Sequence, residues 1–328
     1  MSETVLEVRD LQTHFFTRAG VLKAVEGVSF SLARGEVLGL VGESGSGKSV
    51  TGFSLMGLVD PPGRIVGGSI RLKGEELVGA RERRLRALRG SRIAMIFQDP
   101  MMTLNPVLRV DTQMIEAIVA HADVSQEAAR QRARAALAMV GIPSPDERLA
   151  SYPHQFSGGM RQRVAIAIAL LNDPDVIIAD EPTTALDVTI QAQILAEVQR
   201  LAAELGVALV WITHDLAVVA GLADRLAVMY AGRIVEEGPI GAVVTEPAHP
   251  YTRGLIGSVP SQNAHGRRLR QIPGMTPNLL SLGPGCAFAA RCPRADAVCR
   301  AMPDLDRIDS VHRVRCHHPH HGAMEVEA

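Results

Sequence analysis

Aromatic residues, lysines, cysteines and long hydrophobic runs are all scarce in this chain, and each shortage excludes something. Phe, Trp and Tyr make up 3% of its 328 residues, so stacking on bases cannot be spread over a broad face, and one aromatic near a nucleotide would carry weight. The longest unbroken apolar stretch in the middle of the chain, 164–171, falls far short of the ~18 to 20 residues that span a bilayer. The start, MSETVLEVRD, lacks a basic region followed by an apolar one, and no signal peptide is expected. A cytosolic location, or a peripheral one on a membrane protein, follows. Formal net charge is -1, so no global basic field recommends nucleic acid, and the run HGRRLR around Arg267 reads as a solvated segment. All four cysteines, Cys286, Cys292, Cys299 and Cys316, lie near the C-terminus. In a reducing compartment that clustering favours a metal site over disulfides. What remains is an ordinary globular composition, 47% hydrophobic and 21% charged, with room for one large domain and a smaller one.

Lys23, Lys48 and Lys73 are the three lysines, and Lys48 stands in GESGSGKS, residues 42–49. This matches the phosphate-binding pattern GxxxxGK[ST], between an apolar run (36–41) and a segment with helical apolar spacing (49–58). Gly42, Gly45 and Gly47 let the backbone curl. Its N–H groups, those of Glu43, Ser44 and Ser46 included, can then point at phosphates together with the following helix N-terminus. Lys48 is expected to reach the outer phosphates and Ser49 to ligate magnesium.

Residues 1–98 alternate short β-like runs with Gly- and Pro-rich turns. Between about 99 and 153 the pattern turns helical, with QEAARQRARAALAMVGI carrying its apolar residues on one face and Gly141 as stop signal. Strand and helix then alternate to about 240: a buried helix over 164–171, a strand over 175–180, helical spacing from Ile190 to Leu205 closed by Gly206, and the strand VALVWITHD. This is a parallel α/β core with a helical insert. Beyond Pro239 periodicity fades, and an extended tail module is expected, standing apart from the phosphate site. The strand ending in Asp180 and Glu181 places one carboxylate to hold magnesium and its hydration shell and a second to polarise the attacking water.

FSGGMRQR at Phe156 resembles the signature motif of ATP-binding cassette (ABC) ATPases, with Ser157, Gly158 and Gly159 as a second anion site at a helix start. That resemblance implies two cassettes dimerised head to tail, each signature serving the partner's ATP. It also implies roles for Gln98 (magnesium and transmembrane coupling), Ala185-Leu186-Asp187 (partner contact), His214 (γ-phosphate) and Phe15, or its neighbour Phe16 (adenine stacking). The methionine in FSGGMRQR, with TTALDVT and PAHPYTRGLIGSVP, is similar to the dipeptide and oligopeptide importer branch, which includes nickel importers; IPGMTP at 272–277 departs by lacking a second proline before Pro277. The implied fold is α/β, a P-loop ABC cassette. Its RecA-like core and antiparallel β subdomain would occupy 1–98 and 154–240, its helical subdomain 99–153, and a four-Cys extension 241–328.

Four thiolates spaced Cys-x5-Cys-x6-Cys-x16-Cys can bind zinc or an iron-sulfur cube. The resemblance implies a 4Fe-4S cluster, with zinc as the alternative. His312, His317, His318, His320 and His321 surround the last cysteine, and the HHPHH segment, 317–321, reads as a mobile polar end and not as a ligand set. The expected function is ATP hydrolysis energising uptake of di- or oligopeptides at the cytoplasmic face of the membrane. Expected partners are a second cassette subunit, in a heterodimer, two permease subunits and an extracytoplasmic substrate-binding protein, without nucleic acid. Import of nickel or another small solute, a non-transport ABC ATPase and a metal-stabilised docking subunit are the alternatives.

Overall fold

A computed structural model describes residues 3–184, 186–259 and 271–322. Ala185 and the HGRRLR run lie outside them. The chain divides into two compact units, one formed by Met1–Leu6, Leu32–Glu36 and Gly79–Val210, the other by Glu7–Ser31, Val37–Val78 and Trp211–Ala328.

The second unit carries the phosphate loop. Its four-stranded sheet runs in the order Gly20–Ala33, Thr4–Thr17, Gly63–Leu72, Glu75–Glu76. The first strand is longer than the short β-like runs expected over 1–98: it reaches Thr17 through Asp10 at φ 46°, a local break that hides its length from a period-2 reading. In the other ladder Val37–Val41, buried at all five positions, pairs parallel with Arg225–Tyr230. Burial on both faces explains its unbroken apolar run. Arg225–Tyr230 turns back into the antiparallel strand Arg233–Pro239 through Ala231 (φ 48°) and Gly232 (φ 79°). Both central residues are left-handed, as a two-residue hairpin turn requires.

The stretch after Pro239 is more structured than expected. It forms helices Ile240–Thr245 and Pro250–Gly257 and returns a strand, Arg313–Val314, that pairs antiparallel with Arg233–Pro239. Val243, Ala248, Tyr251, Ile256 and Phe288 are buried there, a core spaced too irregularly to show as periodicity. The histidines are not a free polar end either. Buried His312 contacts Glu236 at 2.7 Å, and the His320 N–H donates to Ala248 O at 2.8 Å.

In the first unit Ile93–Ile96 pairs parallel with Val176–Asp180, and every residue of both is buried. Helices Val110–Val119, Gln126–Met139 and Pro145–Leu149 fall in the helical stretch expected over 99–153. Ser125 caps the middle one by accepting from the Ala128 N–H, and Gly141 lies just past its end at φ 69°. The helices Gly158–Leu170 and Val188–Leu205 also belong to this unit.

Candidate active site

The phosphate loop links Val37–Val41 to the helix Lys48–Met56, a strand-to-helix turn whose glycines are sterically required. A Cβ on Gly42 would lie 2.2 Å from Met229 O, and one on Gly47, at φ 102°, would lie 2.3 Å from Ala24 O. No L side chain fits either place. Backbone bonds pin the loop from outside: the Gly232 N–H donates to Ser46 O at 2.9 Å, and the Glu26 N–H to Gly232 O at 2.8 Å. Lys48, 5% exposed, donates to Gly42 O at 2.8 Å and Glu43 O at 3.0 Å. Its charge is thus held over the concave face formed by the loop. Ser49 follows in the first helical turn. His214 belongs to this unit too, exposed just beyond the strand Ala208–Thr213.

The expected separation of tail and loop does not hold. The Glu43 N–H donates to the Tyr251 hydroxyl at 2.8 Å. Its carboxylate takes both prongs of the Arg291 guanidinium, at 2.7 and 3.0 Å. Tyr251 and Arg291 were not expected at the site. They lie 208 and 248 positions beyond Glu43, and no local spacing announces such a partner. Burial pushes the Tyr251 phenol well above its ordinary value, so it stays a neutral hydroxyl able to accept that N–H.

Phe15 is half-buried and packs on Gly63, where a Cβ would meet its ring at 2.6 Å. Phe16 is exposed, with the Arg64 guanidinium 4.1 Å from its ring centroid. A cavity of about 210 Å³ lies against Glu43–Ser46. Its described walls include Leu22, Tyr230 and Thr276, and neither phenylalanine.

The first unit holds the carboxylates. Asp180, 5% exposed, ends the buried strand, and Glu181 follows at φ 46°. A non-glycine residue in the left-handed region costs energy and is found where the chain must aim a side chain. Gln98 Nε2 donates to Glu181 Oε2 at 3.2 Å, and Thr184 Oγ1 donates to the same oxygen at 3.1 Å. Gln98 and Glu181, singled out separately in the sequence, therefore meet. Thr184 was missed, although its place three residues after Glu181 in EPTTALD was a usable signal.

At the signature the Ser157 hydroxyl accepts from the Met160 N–H at 3.4 Å, so Gly158 and Gly159 open the helix Gly158–Leu170. The two glycines differ. A Cβ on exposed Gly158 would stand in ordinary contact, 3.6 Å from Leu186, whereas one on Gly159 would press to 2.7 Å from Ile190 Cγ2. Asp187, expected at a partner contact, caps the helix Val188–Leu205 by accepting from the Ile190 N–H at 2.9 Å; Ala185 of the same motif lies outside the described residues.

In the tail the Cys286 N–H donates to Cys299 O at 2.9 Å. The Arg294 and His318 N–H groups donate to the sulfurs of Cys292 at 3.4 Å and Cys316 at 3.3 Å. Burial raises the Cys316 thiol to about 11, and charge on Cys286, Cys292 and Cys299 pushes it the same way. Cys286 and Cys292 are raised too, again chiefly by burial. Four cysteines, one buried and three partly buried, with N–H donors on two sulfurs are a donor set that fits a cationic centre, which would bind them as thiolates. Asp296, Cys299 and His318 also bring ligating atoms within 4.8 Å of one another.

A phosphate cradle with a lysine, and a glutamate aimed by two donors beside an aspartate, are the equipment of a P-loop ATPase. Residues 25–184 match the ABC transporter family model, and 235–299 match the oligopeptide/dipeptide transporter C-terminal region. The dipeptide transport ATP-binding protein DppD of Bacillus subtilis (strain 168) is 50% identical over 316 residues, 96% of this chain and 94% of that protein. The oligopeptide transport ATP-binding protein OppD of Escherichia coli (strain K12) is 49% identical over 305 residues, 93% and 90% of the two chains. Among solved structures, the dimeric post-hydrolysis state of the ATP-binding cassette MJ0796 bound to ADP and Pi matches with TM-score 0.65 at 26% identity, over 72% of this chain and 98% of that one. The chain belongs to the ABC transporter ATPases of the oligopeptide/dipeptide importer family, and its fold is the P-loop ABC cassette.

Proposed function

We propose that the chain hydrolyses ATP to ADP and phosphate to drive uptake of di- or oligopeptides, and that Glu181 is the base of that reaction. The observation that carries the reading is the Glu181 carboxylate itself, set at φ 46° next to Asp180 and held through Oε2 by Gln98 and Thr184. Such fixing of a base before reaction removes orientational cost from the chemical step. Lys48 and the loop N–H groups bind the phosphates. Ser49, Asp180 and Gln98 serve as magnesium ligands, directly or through its hydration shell. Glu181 takes the proton of the attacking water, and His214 contacts the γ-phosphate. Phe15 is the adenine-stacking candidate. Ser157, Gly158 and Gly159 serve ATP bound by a second cassette, so hydrolysis requires a dimer, in this reading a heterodimer. No helix among the described residues is long and apolar enough to cross a membrane. Membership of the importer family supports placing the subunit at the cytoplasmic face, peripheral to two permeases and fed by an extracytoplasmic binding protein. Residues 1–98 and 154–240 are taken as the core, 99–153 as the helical subdomain and 241–328 as the extension. The relatives' names support peptides as cargo. Reconstituting the subunit with its permeases and binding protein tests the assignment: peptide should stimulate turnover. Stimulation by nickel or another small solute, and not by peptides, would overturn it.

The tail is assigned a 4Fe-4S cluster bound by Cys286, Cys292, Cys299 and Cys316, which would supply structural cross-linking there. Anaerobically purified protein should be brown and contain about four iron and four sulfide per chain. The meeting of Asp296, Cys299 and His318 favours a second reading, structural zinc; one zinc and no iron would select it.

A further inference from the structure

Glu43 contradicts its surroundings. The phosphate loop gathers N–H dipoles to attract anions, yet its second residue carries a carboxylate, the wrong sign for a neighbour of a triphosphate. The cation that answers it comes from the tail. Arg291 grips Glu43 with two nitrogens while its Nε donates to Pro273 O at 2.8 Å and Nη1 lies 3.3 Å from the Tyr230 hydroxyl. The Arg291 side chain is 6% exposed, that of Glu43 26%. Tyr230, Tyr251 and Phe288 interlock beside it, with ring centroids 4.5 to 5.5 Å apart. Backbone and side chain of Glu43 are thus both held by late-sequence residues, and Thr276–Leu279 share the cavity against Glu43–Ser46. Arg291 directly precedes Cys292.

We propose that Arg291 is a positioning residue for nucleotide binding: it neutralises and anchors Glu43, so that ATP affinity at the phosphate loop depends on the folded tail. This rests on the reading that the loop binds ATP. A freed Glu43 carboxylate would swing toward the loop and repel the phosphates, or compete with them for Lys48. The two-pronged grip needs a guanidinium; an ammonium supplies the charge without the fork.

The test is a double-mutant cycle on the full chain, read as MgATP affinity from equilibrium titration with a fluorescent ATP analogue. Thermal midpoints are measured alongside, as are KM and kcat in the assembled importer. Arg291→Ala should weaken MgATP binding about tenfold, raising KM with kcat little changed. Arg291→Lys should fall between, and Glu43→Gln, which keeps the loop N–H and removes only the side-chain charge, gives the reference affinity for the cycle. Adding Glu43→Gln to either arginine variant should restore affinity to within about twofold of the Glu43→Gln protein, because no charge is left to neutralise. Contacts that merely hold the fold together predict the reverse, a double variant no better than the single one. That result, or unchanged affinity in Arg291→Ala, overturns the proposal. Should Arg291→Ala fail to fold, Arg291→Lys with and without Glu43→Gln carries the same comparison. Wild-type protein that binds no MgATP, or that binds it equally well after Lys48→Ala, would overturn the ATP reading and this inference with it.

Discussion

Two glycine loops in this chain open helices, and their settings are opposite. Residues 42–48 are braced at both ends and open only at Ser44 and Gly45: Gly42, Ser46 and Lys48 are buried, and Glu43 is gripped at both its backbone and its side chain. Residues 157–159 leave Ser157 and Gly158 exposed, with one hydroxyl cap of 3.4 Å closing the turn. A loop that shapes itself around a ligand of its own must be rigid beforehand, since ordering it on binding would cost affinity. A loop offered to another molecule's ligand has to remain accessible. The proposed arrangement, a nucleotide bound at one loop and served in trans by the other, calls for such a difference.

The sharpest way to break the comparison is to strike each loop at its charge or its space. Lys48→Ala should abolish measurable ATP binding, whereas Glu181→Gln should keep binding and lose turnover by roughly 10² to 10⁴, read by equilibrium titration beside phosphate release. Equal loss of binding in both would remove the division of labour. Gly158→Asp puts a carboxylate on the exposed loop without a clash, and stimulated turnover of the assembled importer should drop at least ~10²-fold while this chain's own nucleotide affinity is kept. Within the signature, Gly159→Ala should cost about 1 to 3 kcal/mol of stability through the Ile190 contact, and Gly158→Ala far less; denaturant midpoints decide.

The smallest effect concerns the brace. His249, fully buried, accepts the Tyr251 N–H on Nδ1 at 3.0 Å, and burial lowers its pKa from 6.5 to about 4. The unfolded chain therefore binds the extra proton first. The stability His249 contributes is present above pH 6.5 and is lost as pH falls toward 4, by roughly 3 kcal/mol at most. Hydrogen-exchange protection factors, which remove the intrinsic pH dependence of exchange, should fall in the helix Pro250–Gly257 over that window, ahead of the signature helix; a uniform fall across both would mean that the tail holds no separate titrating anchor.

Legibility in the sequence tracked the range of the interactions. Val37–Val41 and Val176–Asp180 declare themselves because burial on both faces forces continuous apolar runs. Gly206 and Gly141 declare helix ends because left-handed backbone needs glycine. Gln98 and Glu181 could be named individually, but their hydrogen bond spans 83 positions and needed coordinates. The tail was misjudged for the same reason: its core is assembled from Val243, Tyr251 and Phe288, residues too far apart to form a pattern.

The strand Arg313–Val314 covers Glu236 and Glu237 on the outer edge of Arg233–Pro239, and the two-residue strand Asp306–Arg307 lies beyond it in the sheet. Sheet edges are templates for unwanted association, and short, charged strands are poor ones. Shortening this protein before residue 313 would uncover the edge at Val235, Glu236 and Glu237, a hem whose loss should leave one copy easier to stitch to the next.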